Sequence, residues 1–392
     1  MSKPTLWTRD FIIVSVLNFL LILVFYLLMV VMGLFATEQL QASPSQAGLV
    51  AGIFIVGVLA GRLLIGQFMA RIGCKRSMLS GLFLGAFASL FYFVDADLSF
   101  LITIRFLHGV SVGIAATAIA TVVAYLIPVS RSGEGIGYFG VSASLATAVG
   151  PFIGIYMLQH TEFAAILALC CMLSAVCVAV GLLLNVPEVN KEGEGSQPAK
   201  FALGNFIELK VVPICCIVFI SGLYYSSVLS FLNMYALEKN LTDAASLFFV
   251  VYAVTLLVTR PYTGKLMDRK GENVVMYPGF ILMALGLAAL GMAESGSQLL
   301  LAAFLLALGF GSMQSCSQAI VIQMVSRERL ALATSTFFIF VDAGLGFGPY
   351  ILGLAVPSFG YANLYCLLSL FTLFSAVAYY FVHGKSQLAL RS

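Results

Sequence analysis

The chain has 392 residues, of which 61% are apolar and only 9% charged, and its formal net charge is +3. Soluble domains carry about 25% charged residues, so this composition excludes water as the main solvent, and so small an excess of positive charge leaves no nucleic-acid footprint. The eight cysteines fall almost entirely inside apolar runs and show no Cys/His spacing of a zinc site, so no metal and no disulfide framework is expected.

Continuous apolar runs of about 20 residues, enough to span a hydrocarbon core of ~30 Å as a helix, recur along the whole length. Twelve spans are predicted in chain order, at 11–35, 47–70, 77–94, 98–127, 135–158, 163–184, 209–232, 244–267, 275–293, 297–324, 331–355 and 360–383. A membrane β-barrel would show short alternating segments instead. The first run is too long for a cleaved leader and lacks a small-residue cleavage site, so it is read as a span. Between the sixth and seventh spans the stretch PEVNKEGEGSQPAKFALG breaks the pattern with Pro, Gly, Ser and charge, the composition of a flexible linker. The expected organisation is an N-terminal six-helix bundle over 1–185, a cytoplasmic linker over 186–208 and a C-terminal six-helix bundle over 209–392. If the N-terminus lies inside, sixteen of the twenty Lys and Arg fall on inner segments and only Lys239 on an outer loop. Cationic residues accumulate on the cytoplasmic side, which predicts a multi-pass protein of the cytoplasmic (inner) membrane with both termini inside.

Two stretches repeat. Gly61 to Gly81 (GRLLIGQFMARIGCKRSMLSG) and Thr259 to Gly279 (TRPYTGKLMDRKGENVVMYPG) share Arg62/Arg260, Gly66/Gly264, Met69/Met267, Arg71/Arg269, Gly73/Gly271, Met78/Met276 and Gly81/Gly279 at one offset of 198. Each copy joins the end of one span to the start of the next, so the chain reads as a tandem of two related halves. The first copy resembles the G-x-L-a-D-R-x-G-R-R loop of the major facilitator superfamily, and the second, with Asp268, resembles it more closely. Arg105-Phe-Leu-His108-Gly109 in the fourth span is similar to that family's R-x-x-x-G element. Gly150-Pro151-Phe-Ile-Gly154 in the fifth resembles the element associated with proton-exchanging exporters. The resemblance covers the whole chain, is nearest to bacterial twelve-span drug or metabolite exporters, and implies an all-α membrane protein of two pseudo-symmetric six-helix bundles that moves its solute by alternating access.

The resemblance also implies gating roles for Gly66, Arg71 and Gly73 in the first loop and for Gly264, Asp268, Arg269 and Gly271 in the second. Ala70 stands where the first loop of the family carries its Asp, so any latch is expected on Asp268 and Arg269, and the two halves are not expected to gate alike. Of seventeen acidic residues only Asp342 lies deep within an apolar span. A carboxylate there costs ~2.5–3.5 kcal/mol on insertion scales, and burial favours its neutral form, so it is either the proton-coupling group or a structural partner of another helix. Arg105, His108 and Ser111 share a face of the fourth span. Arg105 and His108 are the second choices for proton coupling, against the alternative of a backbone-bonded Arg and a helix-packing His. Arg62 and Arg260, about one turn inside the membrane boundary, are expected to snorkel outward or stabilise a gate.

By the resemblance, Asn18, Tyr26, Ser111, Tyr224, Ser227, Phe231, Tyr252, Gln314, Gln318 and Phe338 border a substrate cavity that is aromatic, amide-rich and poor in charge. Such a lining suits an amphipathic or weakly cationic organic solute; the alternative is that these rings face lipid or pack helices. Gly150, Pro151 and Gly154 in the fifth span and Gly346, Gly348 and Pro349 in the eleventh are expected to allow close, bent helix packing.

A nucleotide-binding P-loop and a soluble catalytic constellation are both missing from the sequence, so no enzyme activity and no cofactor are expected. The expected partners are a small-molecule substrate, protons and the lipid bilayer, and a monomer suffices. The function read from the sequence is export of a small organic solute in exchange for protons. The alternatives are proton-coupled uptake of a sugar or carboxylate by the same fold and, in another class, a membrane receptor that binds without transporting.

Overall fold

The computed structural model describes residues 5–42, 44–94, 97–186 and 206–385. Most of the expected linker lies outside the described residues, as do Lys3, Lys191, Lys200 and Arg391 among the orientation-setting cations. Among the described residues the chain is all-α, without strands, and forms twelve long helices: α1 Arg9–Gln39, α2 Pro44–Ile72, α3 Cys74–Leu90, α4 Leu98–Leu126, α5 Ser132–His160, α6 Phe163–Leu182, α7 Val212–Glu238, α8 Thr242–Lys270, α9 Asn273–Gly291, α10 Gly296–Gln323, α11 Leu330–Gly353 and α12 Val356–Tyr379. Eleven of them hold a stretch long and apolar enough to cross a bilayer; in α2 the apolar stretch is Gly52–Gly66, which is shorter than that. Helices are what such runs must form, because hydrocarbon offers no partner to an open N–H or C=O.

The ends of the helices are closed by the residues local chemistry favours. Thr8 accepts from the Phe11 N–H at 3.2 Å, Asp97 accepts from the Phe100 N–H at 3.1 Å, and Ser295 with Gln298 forms a reciprocal capping box at the start of α10. The repeated glycines have a shared task. Gly73 (φ 93°) ends α2 and Gly271 (φ 84°) ends α8, and their N–H groups close on the carbonyls of the repeated Met69 and Met267 at 2.8 and 2.7 Å. With ψ of 147° and 170° respectively, both sit in a region that only glycine occupies without strain of about 1–3 kcal/mol. Gly271→Ala should therefore lower the thermal unfolding midpoint of the purified protein, while Gly33→Ala, with ordinary φ and open space around it, should not.

Two compact units emerge, one of Met1–Pro128, Ser142–Glu208 and Ser326–Thr336, the other of Val129–Val141, Leu209–Val325 and Phe337–Ser392. The first turns of α5 count with the second unit and those of α11 with the first. In the first unit α2 packs on α4, α4 on α3, α3 on α6 and α6 on α1. In the second α8 packs on α10, α10 on α9, α9 on α12 and α12 on α7. Element for element the two circuits are the same, the structural counterpart of the 198-residue offset.

The tightest seam of the first unit is α2 on α4. A Cβ added to Gly57 or Gly61 would overlap the carbonyl oxygens of Phe106 or Val110, and one added to Gly109 or Gly113 would overlap those of Phe54 or Val58. Two glycine pairs spaced by four thus interlock backbone to backbone, a close approach that membrane helices use in the absence of a hydrophobic driving force. Large apolar side chains instead face outward, as with Phe87 on α3, Phe152 on α5 and Phe374 on α12. Polar Asn18, Ser77, Ser111, Thr117 and Thr121 are buried within the first unit, the arrangement expected of a protein dissolved in lipid.

Candidate functional site

In the first unit α4 points Arg105 and His108 into a buried cluster. Arg105 is 1% exposed; its Nε donates to the Val50 carbonyl at 3.2 Å and its guanidinium lies 4.4 Å from the Phe54 ring. His108 Nδ1 shares a hydrogen bond of 2.9 Å with the Tyr92 hydroxyl, and the imidazole and the Phe54 ring meet in a T-shaped contact. Ser111 donates to the His108 carbonyl at 2.6 Å. His108 and Ser111 also border a cavity of about 20 Å³ with Ser174 and Gly85, room for roughly one water. The sequence-derived trio is thus brought together, on a face that also holds Tyr92 and Phe54, which the sequence did not single out.

The second unit shows a polar grip at the start of α5. Asp268, near the end of α8, accepts the N–H groups of Gly133 and Glu134, both at 2.8 Å. A carboxylate meets here the donor-rich end of a helix, the arrangement the helix dipole favours. Glu134 is flanked by Arg131 Nε at 2.8 Å and Lys265 Nζ at 3.4 Å, and Lys265 also reaches the Tyr138 hydroxyl at 3.3 Å. Gly264 of the repeat makes the approach possible, since a Cβ there would overlap the Gly133 carbonyl. Arg269 is exposed and stands outside this grip. The corresponding end of α2, with Ala70, meets the start of α11 differently. Gly66 approaches Ser335, whose hydroxyl donates to the Arg62 carbonyl at 2.7 Å, and the cation–carboxylate pair there is Arg329 with Glu208. Arg71 is exposed.

Arg62 and Arg260 do not snorkel: each is 7% exposed. Arg62 Nη1 approaches Thr117 Oγ1 at 3.4 Å. Arg260 donates from Nη1 to the Gly140 carbonyl at 2.6 Å and from Nη2 toward Gln314 Oε1 at 3.4 Å. Gly137 and Gly140 on α5 leave the room it fills. In the same unit Tyr225 of α7 stacks between Phe310 of α10 (centroids 4.3 Å apart, planes at 16°) and Tyr252 of α8 (5.3 Å, 23°). Phe310 sits in a π-turn, Ala307–Gly311, inside α10, and such turns are frequent at functional sites. Phe310, Gln314 and Gln318 follow at steps of four, so one stripe of α10 carries the ring and both amides.

Of the residues expected to border a cavity, Tyr252 and Gln314 therefore come together, joined by Arg260, Tyr225 and Phe310. Tyr225 rather than its neighbour Tyr224 makes the stack, and the spacing of four from Phe310 to Gln318 was the sequence signal that could have located it. Asn18 is tied to Ser142 by a bond of 2.9 Å, Ser227 donates to the Tyr224 carbonyl, and Phe231 lies tilted against Tyr361. Tyr26, Tyr224, Phe338 and Asp342 are half-buried. Gly150 and Gly154 lie against Leu23, Tyr26 and Leu27 of α1 and Gly348 against Ser226 of α7, while Pro151 and Pro349 are inside their helices.

A sequence profile of the Major Facilitator Superfamily matches residues 14–276 and 214–390. The chain belongs to the major facilitator superfamily. This makes it a multi-pass membrane transporter of small molecules and not an enzyme. An uncharacterized MFS-type transporter of Methanocaldococcus jannaschii is 22% identical over 89% of this chain and 92% of its own. The multidrug resistance protein MdtG of Proteus mirabilis is 28% identical over 41% of this chain and 40% of its own. The fold is shared with the human organic anion transporter MFSD10 (TM-score 0.76, 15% identity, 96% of this chain and 100% of that one). It is shared equally with FucP in the outward conformation (TM-score 0.76, 17% identity, 96% and 99%).

Proposed function

We propose that this major facilitator exports a small amphipathic organic solute in exchange for protons, by alternating access between an N-terminal bundle (1–185) and a C-terminal bundle (209–392) joined by a cytoplasmic linker. The observation that carries the reading is the grip of Asp268 on the start of α5. Two charge-assisted hydrogen bonds to a helix end are strong enough to hold one state and few enough to release it. In this reading the grip lies on the cytoplasmic side of the inner membrane, where the Lys- and Arg-bearing segments and both termini also lie, and Arg269 and Arg71 face the cytoplasm from the two loops.

Proton coupling is assigned to Asp342, the carboxylate within α11, with the Arg105–His108 cluster as the polar element of the first unit. Export is favoured over uptake by the multidrug resistance relatives and by Gly150-Pro151-Phe-Ile-Gly154. The test is substrate flux in oriented membrane vesicles. Collapsing the pH gradient should stop accumulation, and Asp342→Asn should abolish proton-coupled flux at normal expression. Flux indifferent to the gradient would remove the antiport reading, and accumulation along an inward proton gradient would convert it to uptake.

A further inference from the structure

We infer that the second unit contains an anion-binding subsite, built by Arg260, Gln314 and Gln318 beside the Phe310–Tyr225–Tyr252 stack, which takes the carboxylate of a small planar organic acid. It rests on the transport reading only in treating that acid as the exported solute.

The first observation is an uncompensated charge. Arg260 is buried, and its hydrogen bonds go to the Gly140 carbonyl and the Gln314 amide oxygen. Among the described residues no carboxylate lies within ion-pair distance of it. An ion taken out of water without a counter-charge is strongly unfavourable, and an opposite charge at hydrogen-bond distance is the remedy. The second observation is the sign of the polar atoms left over. Arg260 Nε and Gln318 Nε2 are both buried without a hydrogen-bond partner. Both are donors. A carboxylate, which only accepts, matches a planar guanidinium fork and an amide N–H. An ammonium solute would instead meet a cation and two donors.

The third observation is shape. Phe310, Tyr225 and Tyr252 stand with nearly parallel planes, so a flat ring would extend the stack at the half-buried Tyr252 and not enter it. A purely structural rivet between α8 and α5 accounts for the Gly140 bond but leaves Nε and the Gln318 amide without a task. A weakly cationic solute, which the aromatic and amide-rich lining expected from sequence would suit, would here meet the charge of Arg260, which is buried.

The experiment is calorimetric titration of the purified full chain in detergent with 2-naphthoate, 2-naphthamide and protonated 2-naphthylmethylamine. Naphthoate should bind at least about tenfold tighter than the amide, in line with a hydrogen bond to a charged group, and the amine should not compete. Gln318→Leu, which keeps the cation, and Arg260→Gln should each weaken naphthoate binding while leaving the protein monodisperse; if Arg260→Gln does not fold, Gln318→Leu decides. Equal binding of acid and amide, preference for the amine, no binding by any probe, or unchanged naphthoate affinity in Gln318→Leu overturns the subsite. Proteoliposome flux separates the two readings. Naphthoate bound but no solute carried sinks the transporter proposal alone, and proton-driven flux without anion preference sinks the subsite alone.

Discussion

Gly109→Leu is expected to yield no monodisperse protein in detergent, whereas Gly52→Leu on α2 should elute and melt as the parent does. A Cβ at Gly109 already overlaps the Phe54 carbonyl, and its neighbours in the seam are the backbone of Gly57 and, one turn on, the contact of Gly113 with Val58. Extra methylenes cost about 1–3 kcal/mol where side chains can step aside. Here the obstructing atoms are main chain, so α2 and α4 must separate along their length, and separation also uncovers Arg105, whose Nε bond runs to the Val50 carbonyl. A penalty above that range is comparable with a whole domain's stability of about 5–15 kcal/mol. Gly52 has open space around it, which makes it the matched control. Recovery of folded Gly109→Leu at parental yield would show that the seam gives way more easily than its geometry implies.

Asp268→Asn should release the start of α5 and lower transport, with the fold intact. The carboxylate accepts two N–H groups at 2.8 Å. Asn retains one acceptor oxygen and no charge, so the loss is about 2 kcal/mol, one charge-assisted bond with its share of the helix-end attraction. That is roughly a 30-fold change in the ratio of gripped to released protein. Ser132 is buried beside Gln323 in the gripped arrangement, so a cysteine placed there, in a background without native cysteines, reports the change as faster maleimide labelling. Ala70→Asp, in the copy that lacks the carboxylate, should leave labelling of that cysteine unchanged. Parental labelling and transport in Asp268→Asn would take the grip out of the cycle.

The architecture was legible because span length and the cost of unsatisfied backbone groups in lipid are coarse constraints that composition carries directly. The repeat was legible for a sharper reason: Gly73 and Gly271 hold backbone angles no other residue takes without strain, so the same letter recurs at the same turn. Side-chain direction was much less legible. In a soluble helix the polar face marks the outside, but in a span both lipid and protein interior are apolar, and periodicity does not tell them apart. Hence Arg260, expected to snorkel outward or stabilise a gate, is buried against Gly140, and Tyr225 instead of its neighbour Tyr224 makes the stack. The spacing of Gly57 with Gly61 and Gly109 with Gly113 was present in the sequence, but which helices face each other is a tertiary fact.

The π-turn in α10 has a further consequence for any variant that alters its length. Each residue in an α-helix advances the chain by about 100°, so Ala307–Gly311 sets the phase between the capped beginning of this span and its second half. Deleting a single residue there would let the turn relax to uniform α geometry with Gln314 and Gln318 still on the Arg260 side, because a π-turn winds in one extra residue without advancing the phase, whereas adding one to the plain α stretch between Ser312 and Gln318 would turn Gln318 by about 100°. The span would survive both changes and its chemistry only the first, which makes one-residue spacing beyond the turn as decisive as the identity of the side chains it aims.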